Sequence, residues 1–201
     1  MQTTLKKAIW AALSVLLVLV VLALVFVFVP FYHYSSVGLY PDGKAGSITQ
    51  AHTVAPKTFL QLDLMSSRQM ANTFLGRNDI DLPEDIAVHV SCPPKQNFSL
   101  VALEYRIDKD WIVHPKPLQL ESSPNITQEP YDTFICLAPI EDCPLPTMKS
   151  LADLKKVHQI TIRATVKNTS APGTPTYSVE EKFELATFTQ SSPIWWTWIK
   201  F

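Results

Sequence analysis

The chain has 201 residues, 47% of them hydrophobic, with 16 prolines against five glycines. That length has room for one membrane anchor and one domain with a real core, and the prolines favour short, punctuated segments over long helices. A net charge of −1, with no basic cluster able to displace counterions from a phosphate backbone, argues against a nucleic-acid partner.

Residues 1–7 carry only the basic Lys6 and Lys7. An uncharged stretch follows, beginning at Ala8 and ending at Phe31, with Ser14 its only hydroxyl. As a helix it would span roughly 36 Å, enough to cross a ~30 Å hydrocarbon core with tilt. It is longer than the apolar part of a signal peptide, and it ends in Phe28-Val29-Pro30-Phe31-Tyr32 without a small-x-small cleavage site. Trp10 at one end and Phe31, Tyr32 and Tyr34 at the other fit the two aromatic belts of a bilayer. Residues 8–32 are therefore predicted to be a transmembrane signal anchor, contacting lipid through residues 8–31. The positive-inside rule keeps residues 1–7 cytoplasmic and makes everything after the anchor extracytoplasmic: periplasm, secretory lumen or cell exterior. Ala8 and Ala12 form a small-xxx-small pair, but alanine is common in such helices and a simple tether accounts for them.

Residues 33–56, with Pro41-Asp42-Gly43 and Gly46 and no hydrophobic period, read as a juxtamembrane linker. Residues 57–190 read as one extracytoplasmic domain. Phe59, Leu60, Leu62 and Leu64 predict a short strand. Ser66-Ser67-Arg68-Gln69 has capping-box form, Met70 and Phe74 lie four apart, and Gly76 is placed to end a short helix. Period-two alternation follows in Ile86, Val88, Val90 and Cys92, then in Val101, Leu103, Tyr105 and Ile107. Residues 111–120 suit only an edge strand because of Pro115 and Pro117. Phe134, Cys136 and Ala138 mark another strand, and residues 150–157 a second short helix. Ile160, Ile162, Ala164 and Val166, then Tyr177, Val179, Phe183 and Leu185, form the clearest hairpin. The fold class expected is mainly β: an N-terminal transmembrane helix, then an immunoglobulin-like β-sandwich with one or two short helices. That likeness is one of architecture.

Residues 191–201 form an aromatic C-terminal tail holding three of the five tryptophans. Ile194, Trp195, Trp196, Trp198, Ile199 and Phe201 are the candidate partner- or membrane-docking residues, since a solvated terminus rarely carries so much apolar surface. The competing reading makes the tail a last edge strand of the domain itself.

Chemistry-bearing patterns are sparse. The five histidines, His33, His52, His89, His114 and His158, show no paired metal-ligand spacing. Asp79, Asp81, Glu84 and Asp85 could offer oxygens to calcium, but they match no EF-hand and read better as a solvated acidic loop. No nucleophile elbow, phosphate loop or dinucleotide fingerprint occurs, so catalytic, cofactor-binding and metal residues are all expected to be none. Cys92 and Cys136 fall on apolar strand faces, as core residues or as an inter-sheet disulfide, and Cys143 competes for the same partner. Three sequons, at Asn97, Asn125 and Asn168, are candidate glycosylation sites in a eukaryotic secretory pathway. These features together predict a non-enzymatic single-pass membrane protein that presents its β-domain for protein binding. An accessory or assembly subunit of a membrane complex fits best, with another membrane protein as partner. The alternative is a surface receptor, adhesin or inhibitor that binds a soluble ligand or protein through loops such as 121–130 or 168–176.

Overall fold

A computed structural model describes residues 2–28, 32–73, 76–107, 109–123, 130–143, 145–146 and 148–192. Of these, the side chains of 2–6, 8–9, 26–28, 32, 73 and 192 are left out of the description. One helix, α1 (Gln2–Phe28), precedes ten strands, and the chain is mainly β. The strands are β1 (Tyr32–Pro41), β2 (His52–Ala55), β3 (Thr58–Thr73), β4 (Gly76–Cys92), β5 (Phe98–Arg106), β6 (Ile112–Val113), β7 (Glu121–Ser122), β8 (Asp132–Pro139), β9 (Gln159–Asn168) and β10 (Thr176–Ser192). A 3-10 turn (Ile140–Asp142) and a short helix, α2 (Leu151–Leu154), lie between β8 and β9. Ser150 caps α2, its hydroxyl accepting from the Asp153 amide, which satisfies an otherwise orphaned donor.

The strands form one sheet in the order β2-β3-β4-β1-β10-β9-β5-β6, with β8 also pairing β4 and β7 pairing β8. β4 is the fork. Its 17 residues extend roughly 55 Å, long enough to serve different partners along its length. Its 85–92 half pairs antiparallel with β8. The polar contacts Ser35–Asn78 and Ser36–Asp81 advance together along β1 and β4, so these two run parallel and the sheet is mixed. Residues 33–56 are thus no linker: β1 is an interior strand between β4 and β10, and β2 pairs β3.

Two compact units are distinguished: Met1–Ser35, Ala71–Asn78 and Thr189–Phe201 in one, Ser36–Met70 and Asp79–Phe188 in the other. In the first, His33 Nδ1 and Ser191 Oγ are hydrogen-bonded at 2.8 Å, and Ser35 donates to Asn78 at 2.7 Å. Within α1 the described side chains of residues 10–25 are exposed on every face of the helix, from Trp10 at 71% to Val25 at 39%. These 16 residues extend about 24 Å. Among the described residues no helix is long and apolar enough to cross a membrane, so the expected transmembrane anchor over 8–32 is not supported there.

The second unit holds the core. Leu60 and Leu62 from β3, Ile86, Val88 and Val90 from β4, and Ile160, Ile162, Ala164 and Val166 from β9 are all fully buried. Cys136 and Ala138 of β8 and Leu103 and Tyr105 of β5 join the same cluster. The alternation read from these segments is realised side chain by side chain. Several positions depart: Ala87, Thr133 and Thr161 are buried out of phase, Phe134 is only half-buried, and a bulge between Leu100 and Ala102 breaks the phase of β5 and turns Val101 outward. The helix expected to end at Gly76 is also replaced. β3 runs through to Thr73, and Gly76 opens β4. Local capping preference yields here to strand pairing.

Candidate functional site

The most elaborate polar cluster in the second unit surrounds Asp81. On β1, Ser36, Gly38 and Tyr40 alternate onto one strand face, and all three meet Asp81. A Cβ on Gly38 would lie 3.0 Å from the Asp81 Cβ, so glycine is what allows β1 to come this close to β4. Asp81 Oδ2 accepts from the Ser36 hydroxyl at 2.9 Å and the Tyr40 hydroxyl at 2.5 Å. Its Oδ1 accepts from Arg68 Nε at 2.8 Å, and the same Nε is 3.8 Å from the wholly buried Asp79 carboxylate. β3 supplies the cation, β4 both anions, and β1 the hydroxyls.

Burial pushes the Asp81 carboxyl up, but the hydrogen bonds from Arg68, Tyr40 and Ser36 outweigh it and hold the group below its ordinary value. Burial and the hydrogen bond to Asp81 push the Tyr40 hydroxyl up to about 12. Near neutral pH the cluster is therefore an ionised carboxylate facing a protonated phenol.

The cluster opens on a cleft of about 440 Å³ bounded by Leu39, Ile48, Thr49, Asp63, Arg68 and Phe183 among others. Asp63 is itself engaged, accepting from Thr49 Oγ1 and from Gln61 at 3.0 Å, with His89 Nε2 at 3.5 Å. A second cleft, of about 660 Å³, has Leu82, Ile140, Leu145 and Met148 in its wall beside Glu84, Asp85 and Glu141.

The acidic run is therefore not the solvated loop expected. Asp79 and Asp81 are 1% and 7% exposed on β4, while Glu84 is exposed. Burial of two carboxylates is tolerated because Arg68 lies beside both. The sequence held one usable signal, the i, i+2 spacing of the two aspartates, which places them on one strand face.

A different polar set lies in the core. Among the described residues, the Tyr105 hydroxyl and both ring nitrogens of His114 are buried without a hydrogen bond of ordinary geometry, the two rings 6.2 Å apart. Burial, offset by Asp142, lowers the affinity of His114 for a proton, and burial raises the Tyr105 hydroxyl. The neighbouring Cys143 thiol also raises the Tyr105 hydroxyl, by side-chain hydrogen bonding and then by charge, while donating to the Pro139 carbonyl at 3.4 Å.

All three cysteines are buried free thiols. The inter-sheet disulfide considered for Cys92 and Cys136 does not form. The residues sit on adjacent strands, opposite Asp132 and Val88 respectively, four positions out of register. That offset is about 13 Å along the strands, beyond the reach of a bridge. Burial, helped by Asp132, pushes the Cys92 thiol up to about 11, and burial likewise raises Cys136 and Cys143. None is an activated nucleophile.

The docking candidates Ile194, Trp195, Trp196, Trp198, Ile199 and Phe201 lie outside the described residues, as does the sequon at Asn125. Asn97 is exposed and Asn168 is 5% exposed. Among the described residues no group of three or more His, Cys, Asp or Glu side chains could hold a metal ion. No protein-family model, curated protein or solved structure matches the chain.

Proposed function

We infer that this is a non-enzymatic single-pass membrane protein whose β-domain faces outward and binds another membrane protein, as an accessory or assembly subunit. The observation that carries the tether is the exposure of apolar side chains all round α1 at residues 10–25. An aqueous helix buries one apolar stripe, whereas a helix apolar on every face needs lipid or protein around it. Lys6 and Lys7 before the apolar run support an extracytoplasmic β-domain through the positive-inside rule.

Binding in place of catalysis is supported by the state of the polar groups. Asp81 takes three donors and stays ionised, Tyr40 stays protonated, and the thiols are buried with raised pKa values. No group among these is poised to exchange a proton near neutral pH. A core contributed by β3, β4 and β8 on one hand and β5, β9 and β10 on the other supports a sandwich-like, immunoglobulin-type reading of the domain.

Co-purification from native membranes in mild detergent tests the reading. The full chain is compared with a version ending at Ser192 and with the variant Leu16→Arg, Val20→Arg. The expected result is a defined membrane complex with the full chain, loss of the partner on truncation, and release of the double variant into the aqueous fraction. A full chain recovered from the aqueous fraction, monomeric and without a partner, overturns it.

A further inference from the structure

We propose that Asn97 is the acceptor of an N-linked oligosaccharide and that Asn168, although it stands in the same sequence motif, is a structural corner that excludes one. This rests on the extracytoplasmic placement of the β-domain in a secretory pathway. The two motifs, Asn97-Phe98-Ser99 and Asn168-Thr169-Ser170, meet in the fold, where Phe98 of β5 pairs opposite Asn168 of β9.

At the Asn168 motif the side-chain amide and the hydroxyl that glycosylation uses are both engaged in the fold. Asn168 is 5% exposed, and its Nδ2 donates to Gln96 Oε1 at 3.2 Å. Its Oδ1 accepts from the amides of Ser170 and Ala171 at 3.0 and 3.1 Å, an Asx turn that shapes the loop after β9. The hydroxyl two residues on, Ser170 Oγ, accepts from the Asn97 amide at 2.9 Å. A sugar on Asn168 would replace one of the two Nδ2 hydrogens beside a part-buried pair and put bulk where the corner closes.

At the Asn97 motif, among the described residues, only the backbone is engaged. The Asn97 carbonyl accepts from the Thr169 amide at 2.9 Å and the Thr169 hydroxyl at 3.1 Å. Buried Phe98 anchors the residue between the two polar groups. Asn97 and Ser99 themselves are exposed. The second motif thus holds the first in a fixed, presented conformation. The bond formed joins Asn97 Nδ2 to the anomeric carbon of an oligosaccharide. The bond broken is that carbon's link to a lipid diphosphate, which leaves with the electron pair, and Nδ2 gives up one proton.

The test expresses the full chain with Asn125→Gln in a eukaryotic secretory cell and reads the gel shift released by an amide-cleaving glycosidase. The shift of a single glycan is expected, lost in both Asn97→Gln and Ser99→Ala and kept in Asn168→Gln. A shift that survives Asn97→Gln and Ser99→Ala, or a protease-resistant folded fraction carrying sugar on Asn168, overturns the proposal. Pro172→Asn, which completes a motif with Gly173 and Thr174 in the exposed loop, separates the sources of failure. If that variant is modified while Asn97 stays bare, the assignment is wrong and the topology stands. If neither is modified, the outward placement fails and the proposal with it.

Discussion

The hairpins β3–β4 and β9–β10 belong to one sheet, separated by β1, but are held by different chemistry. In β9, Ile160, Ile162, Ala164 and Val166 bury a continuous apolar face, and the opposite face carries Arg163, which lies 3.8 Å above the Trp111 ring and pairs with Glu180 at 3.0 Å. In β3–β4 the same pairing geometry encloses charge: Arg68 bridges strands to Asp81 and Asp79, with β1 hydroxyls completing the shell. Apolar burial is additive and non-directional, so β9 tolerates small shifts and suffers from lost volume. A buried carboxylate depends on each donor being in place, so β4 tolerates little change of group.

Removing volume from the apolar hairpin has the largest expected effect. Ile162→Ala, at a fully buried site, should destabilise the domain by about 4 kcal/mol in urea unfolding followed by tryptophan fluorescence. A change below 1 kcal/mol would mean that the face is not packed as described. Asp81→Ala should cost less, about 2 kcal/mol, mainly from leaving the Tyr40 and Ser36 hydroxyls without their acceptor. The Arg68 side chain is 52% exposed and recovers water, so its share is discounted.

Much of this difference was visible in the sequence on one side only. Ile160 to Val166 announce themselves by period alone, since burial of one face follows from adjacent residues. Arg68 and Asp81 are 13 residues apart and lie on different strands, and nothing local marks one as the other's partner. The Ser66–Gln69 segment therefore looked like a helix cap and the aspartates like a solvated turn. The Asn168 corner is hidden for the same reason, because it shares the Asn-x-Ser pattern of Asn97 and only the fold shows which side chain is used.

The smallest effect expected is a pH dependence that separates the buried imidazole from the buried carboxylate. His114 is neutral in the fold with its proton affinity lowered, so the unfolded chain binds a proton more readily. Stability should be full above the unfolded histidine pKa of about 6.5 and fall as pH drops below it toward the lowered folded value. Asp81, whose folded pKa is depressed, contributes stability above the unfolded aspartate value of about 3.9 and loses it only as pH falls through the lower folded one. Thermal unfolding between pH 7 and 5 should show the first loss, and His114→Phe should flatten it. An unchanged slope in that variant would assign the effect elsewhere.

The three thiols carry a consequence for where the molecule can exist. Cys92, Cys136 and Cys143 are buried and unbridged, so no covalent loop closure enters the balance between folded and unfolded chain. The β-domain then draws nothing from the oxidant supply of the compartment that receives it. Its folded state is held by apolar burial and by polar contacts such as those around Asp81, with no bridge among these thiols to form or to lose.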